Sequence, residues 1–122
     1  MEPILILKTV LALLTITALG GAVMLITRLS RGVNPPNWLA MAHGLLSGAA
    51  LTLLLYAYFT IGLPTQACWA LVIFLLAAAG GVFLNLGYHA KQLPLPKGIV
   101  LLHGGLAVVG YLLILFAVFG PR

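Results

Sequence analysis

The chain holds three histidines and one acid, Glu2. Two of the histidines, His43 and His103, lie inside long apolar runs, and each is followed by glycine, Gly44 and Gly104. Ionisable residues inside such runs are rare and usually functional, although one lone histidine is as well explained as a polar group satisfied by a neighbouring carbonyl. The scarcity of acids narrows the chemistry. A Ser-His-Asp arrangement needs a carboxylate to orient the imidazole, and none lies near either histidine. Ser47 sits one turn from His43, but a hydroxyl there bonds the helix backbone. Cys68 is the single cysteine, which excludes an internal disulfide; near the start of an apolar run it reads as a small hydrophobe. A closed, four-ligand structural zinc site needs more sulfur or carboxylate than this chain owns.

Four elements must position these side chains. Of 122 residues, 63% are hydrophobic and 6% charged, against roughly a quarter charged in soluble domains; this composition cannot supply a water-facing surface. Apolar runs span about residues 4–27, 38–61, 66–88 and 98–119. Each is long enough for the roughly 20 residues that cross a bilayer. The first, with a weakly basic start and a long apolar core, reads as a retained span rather than a signal peptide. Segments with Gly32, Pro35 and Pro36, with Gly62 and Pro64, and with Pro94 and Pro96 separate the runs, as helix boundaries require. Short connections between antiparallel spans predict a single domain, an all-α four-transmembrane-helix bundle.

The net charge of +5 is not a nucleic-acid signal, because the cations sit at the edges of the apolar runs. Arg28, Arg31, Lys91 and Lys97 fall in or beside the first and third connections, whereas Lys8, Arg122 and Glu2 lie toward the other side. Basic short loops stay cytoplasmic, so both termini are expected outside, with a bacterial inner membrane as the setting. Trp38, Tyr88 and Trp69 suit interface anchors. Tyr56, Tyr58 and Phe59 near the outer end of the second run suit an aromatic belt or the border of a lipid or quinone site.

The halves match without a gap at an offset of 60 residues. Gly20-Gly21 falls on Gly80-Gly81, Pro36 on Pro96, His43-Gly44 on His103-Gly104, and Leu46, Leu53, Ala57 and Phe59 on Leu106, Leu113, Ala117 and Phe119. Chance leucine matches mean little; matched His-Gly, Gly-Gly and Pro positions mean more. Units of about residues 1–60 and 61–120, two spans each, would enter the membrane in the same sense as duplicated parallel hairpins, related by an axis along the membrane normal. His43 and His103 then share one depth, about 8 to 10 Å from the cytoplasmic edge. Ser47, Ala50 and Leu54 follow His43 at helical spacing, and Ala107, Gly110 and Ile114 follow His103.

Two facing imidazoles at one depth could hold a b-type haem by bis-histidine ligation, which requires neutral rings. Small residues on adjacent faces would make the slot, although glycine and alanine are also ordinary helix-packing residues in membranes. Edge cations would meet the propionates. With these features the chain resembles the small four-helix b-type membrane cytochromes, quinone-linked electron carriers or anchor subunits. The resemblance implies one haem b, with His43 and His103 as axial ligands and Gly21, Gly44, Gly81, Gly104 and Gly110 as clearance positions. Arg28, Arg31, Lys91 and Lys97 would partner the propionates, and His89 a propionate or a quinone. Three histidines exclude a second bis-histidine haem within the chain.

Three other readings stand beside it. Copper or zinc could take His43, His103 and His89, with Met24 or Met41 supporting Cu(I), though Met41, two residues from His43, points elsewhere. A small oligomeric proton-coupled transporter or channel would use the histidines as titrating groups. A cofactor-free assembly subunit would need neither role. Partners under these readings are the lipid bilayer, a quinone, a second copy or a larger membrane complex.

Overall fold

Each apolar run folds as one long helix in the computed structural model, which describes residues 2–121. The helices are α1 (Pro3–Arg31), α2 (Asn37–Thr60), α3 (Thr65–Leu84) and α4 (Lys97–Phe119), and a π-helical turn, Asn85–His89, extends α3. With that turn included, four helices are long and apolar enough to cross a membrane. In hydrocarbon every backbone polar group must be satisfied by the protein itself, which helices achieve within one segment and closed barrels between strands. Large apolar side chains such as Leu19, Trp38, Leu45, Phe59 and Phe119 point outward, as they would toward lipid. Arg122, which entered the charge comparison, lies outside the described residues.

The boundaries follow from proline and glycine. Pro36, Pro64 and Pro96 occupy the N-cap positions of α2, α3 and α4 with extended backbone, because a proline ring cannot continue a preceding helix. The first helix runs four residues beyond its expected end at 27, to Arg31. No proline interrupts it, Arg28 and Arg31 favour the negative end of the helix dipole, and Gly32 stops it in the left-handed conformation at φ 69°. Sixty residues on, Gln92 has φ 58°. The third span departs from regular helix near its expected end. Ala90 N–H donates to Asn85 O at 2.7 Å and Leu93 N–H to Tyr88 O at 2.9 Å, the wider i→i+5 spacing of a π turn.

Helices α1 and α2 pack as one close pair and α3 and α4 as another; α1 also meets α4, and α2 meets α3. The four therefore form a ring in which α2 and α4 face each other across the centre. The interior is filled unevenly. Ile6, Leu7, Val10 and Leu14 of α1 interlock with Leu54 and Ala57 of α2, Ala67, Ala70 and Leu71 of α3 and Ile114 and Val118 of α4. All of these belong to the half of the bundle that contains the amino end of α1. In the other half the buried residues are Ala77, Leu84, His89 and Leu95, of the third span and the connection after it, while none of 18–31, 37–49 or 97–109 is fully buried.

Candidate functional site

His43 and His103 are each the seventh residue of their helix, and α2 and α4 start at the same end of the bundle. Both rings turn inward. Their centroids lie 6.1 Å apart, and the ring planes are inclined at 68°. Ala50 and Leu54 below His43, and Gly110 and Ile114 below His103, are buried, so the faces read from helical spacing are the interior faces.

Each imidazole is seated in the same way. His43 Nδ1 lies 2.9 Å from Thr17 O, and His103 Nδ1 lies 2.7 Å from Ala77 O. The carbonyl oxygens sit on α1 and α3, 26 residues before their histidines in both cases. A carbonyl only accepts, so Nδ1 must carry the proton in each ring. In the neutral ring Nε2 then keeps its lone pair, and it has no hydrogen-bond partner among the described residues. No buried side-chain nitrogen or oxygen among the described residues lacks a partner, so each Nε2 opens onto accessible space. A backbone carbonyl that fixes the far nitrogen of an imidazole is the usual support of a histidine metal ligand.

The glycines have divided duties. A Cβ on Gly21 would stand 3.0 Å from His43 Cε1, and one on Gly81 would stand 3.1 Å from His103 Cε1. These glycines clear the imidazoles themselves, where the sequence suggested clearance for a macrocycle. Gly110 clears the Phe74 ring, which a Cβ would meet at 2.8 Å. Gly44 and Gly104 have open space where a Cβ would be. Ser47 donates to His43 O at 2.6 Å, and its hydroxyl is spent on the helix backbone.

The edge residues are less uniform than their charges suggest. Arg28 is half-buried, and its Nε donates to Leu95 O at 2.9 Å. It stands two turns beyond Gly21 on the same face of α1, roughly 10 Å nearer the edge. Arg31, Lys91 and Lys97 are exposed. His89, 7% exposed, donates from Nε2 to Pro35 O at 2.8 Å. It ties the π turn to the first connection and does not join the other two histidines: among the described residues no three His, Cys, Asp or Glu side chains gather as a metal group. The three-histidine copper or zinc site is therefore not assembled. Sequence reasoning missed the Thr17 and Ala77 carbonyls, since a backbone acceptor leaves no trace in residue type.

No protein-family model, no curated protein and no solved structure matches this chain.

Proposed function

We propose that the chain is a b-type cytochrome-like membrane protein, an electron carrier or respiratory subunit that holds one haem b between His43 and His103. The observation that carries this reading is the pair of imidazoles at 6.1 Å, each with Nδ1 committed to a carbonyl. Two imidazoles that ligate one metal through Nε2 at about 2.0 Å would have their centroids roughly 6 Å apart. Neither imidazole is fully buried, which leaves both rings accessible to a ligand.

The residues divide the work. Thr17 O and Ala77 O set the tautomer and aim the rings; Gly21 and Gly81 admit them. Arg28, on the Gly21 face and closest to the interior among the edge cations, is suited to hold a propionate. A haem so held supplies one-electron chemistry, with the protein tuning its orientation and potential. The connections are short, so an electron partner would be reached within the membrane, as a quinone or a neighbouring subunit. The setting is an inner membrane with both termini outside.

Duplication of one hairpin underlies the arrangement. Six features recur at the offset of 60: the left-handed residues Gly32 and Gln92, the caps Pro36 and Pro96, the two histidines, their carbonyl acceptors, their glycine seats, and the buried residues Leu54 and Ile114. The paired histidines would also suit a transport path, as proton carriers. The visible spectrum of protein purified from haem-replete cells separates the two. The haem reading expects a Soret band and sharp alpha and beta bands on reduction. A colourless protein that takes up no haem on reconstitution, yet shows pH-dependent flux lost on changing either histidine, would establish the transport reading in its place.

A further inference from the structure

The basic end of the bundle has an open hollow on its surface, separate from the histidine pair. It measures about 470 Å³ and is lined by Asn34, Pro36, Asn37, His89, Gln92 and Pro94, among others. Its walls are fixed by bonds that lace the first connection to the third. Asn34 Nδ2 donates to Leu93 O at 2.8 Å, Leu95 N–H donates to Asn34 Oδ1 at 3.0 Å, and His89 Nε2 donates to Pro35 O at 2.8 Å. Both ends of the Asn34 amide are thereby used. The side-chain amides of Asn37 and Gln92 make no hydrogen bond among the described residues and remain available as donors.

The charge around this hollow is one-sided. Arg31 adjoins the lining residue Gly32, and Lys91 adjoins Gln92; both are exposed. Arg28 and Lys97 stand at the same end. The only acid, Glu2, precedes the far end of α1, a 29-residue helix, roughly 40 Å away. Glu2 is too far away to neutralise the cluster, which leaves it open to an anion from outside. The hollow lies where the helices leave their apolar stretches, beside the exposed Trp38, a residue type enriched at headgroup level. Basic pockets at this level bind anionic lipid headgroups.

We propose that this hollow binds the phosphate-bearing headgroup of an anionic phospholipid. Arg31 and Lys91 at the rim attract the phosphate, the Asn37 and Gln92 amides donate to its oxygens, and the acyl chains lie along the outer faces of the helices. The site does not rest on the haem reading, and a chain with both His43→Ala and His103→Ala should bind the same lipid.

The test is competitive lipid retention by the purified full chain, read by native mass spectrometry. Phosphatidylglycerol and phosphatidylcholine with matched acyl chains are the probes. Phosphatidylglycerol should be retained at least roughly five-fold better, since each cation near a membrane surface is worth about that factor. The double variant R31Q/K91Q, altered only at exposed positions, should bring the ratio close to one, whereas Lys8→Gln at the far end should leave it unchanged. Asn37→Phe, which blocks the hollow but keeps every cation, should also abolish the preference. Equal retention of the two lipids by the unaltered protein would overturn the proposal, as would a preference that survives R31Q/K91Q or Asn37→Phe. Displacement of the bound lipid by inorganic phosphate alone would assign the hollow to a soluble anion and overturn the lipid assignment.

Discussion

His43 and His103 meet across the bundle with ring centroids 6.1 Å apart, each hydrogen-bonded to a carbonyl 26 residues earlier in the chain. The carbonyls belong to α1 and α3 and the histidines to α2 and α4. All four helices must therefore be in place before the two Nε2 atoms can act together.

On the proposed haem reading, replacing either of these histidines with alanine should abolish a low-spin bis-histidine spectrum, because one axial ligand would be lost. His89→Ala should keep the spectrum, since that ring is engaged with Pro35 O. It should lower stability by about 1–3 kcal/mol, the cost of leaving a buried acceptor unmade. Visible spectra and thermal unfolding in detergent, recorded on the same three variants, check both halves. Equal spectra for His43→Ala and the unaltered protein would remove His43 from the ligand pair.

The seats predict a subtler effect. Gly21→Ala and Gly81→Ala would each place a methyl group near 3.0 or 3.1 Å from an imidazole carbon, and the ring must shift. Each variant should cost about 1–3 kcal/mol as over-packing does and, on the proposed haem reading, weaken axial ligation, seen as a growing high-spin component. Gly44→Ala has open space and serves as the control; it should change neither.

Gly110 separates packing from chemistry. An added methyl group would meet three ring carbons of Phe74 at 2.8 to 3.1 Å. Gly110→Ala alone should destabilise the bundle by about 1–3 kcal/mol, and Phe74→Leu in the same chain should recover much of that loss. Denaturation of the single and double variants measures the coupling. Strict additivity would show that the two residues do not press on each other.

One polar contact crosses between the hairpins inside the apolar region. The Thr15 hydroxyl donates to Leu11 O at 2.7 Å, so at its 2.8 Å contact with Tyr111 it must accept. Tyr111→Phe should cost about 0.6 kcal/mol, the average for such bonds in membranes. Thr15→Val should cost a similar amount, and the double variant little more than either. A double-mutant cycle in mixed micelles reads this directly.

Orientation is testable without a cofactor. With Cys68→Ser as background, a cysteine placed at either terminus should react with an impermeant maleimide from the outer side, and one at Asn37 only after the cells are opened. Labelling of both termini solely in opened cells would reverse the assignment drawn from Arg28, Arg31, Lys91 and Lys97.

Much of the architecture was legible in the residues. Four apolar runs bounded by prolines dictated four helices, because the bilayer leaves the backbone no other way to satisfy itself. The offset of 60 residues pairs His43 with His103 in the sequence, and helical spacing places Ala50, Leu54, Gly110 and Ile114 on the inner faces. The end of the third span was read as plain helix, because a π turn shifts hydrogen bonds by one residue and leaves the apolar pattern almost intact.

The sequence by itself determined that this is a chain for lipid, with two histidines inside its apolar runs and four of its six basic residues in or beside the first and third connections. Only the tertiary structure decided what those histidines touch. Their acceptors are backbone carbonyls, which every residue carries, so no residue type could announce Thr17 or Ala77. The structure also gave the glycines their separate duties, Gly21 and Gly81 to imidazoles and Gly110 to Phe74, because clearance depends on what packs opposite. The sequence offered His89 as a partner for a propionate or a quinone, and as a third ligand only in the copper or zinc alternative. Packing drew it instead to Pro35 O in the neighbouring connection, since a buried N–H must find a carbonyl and that one was within reach.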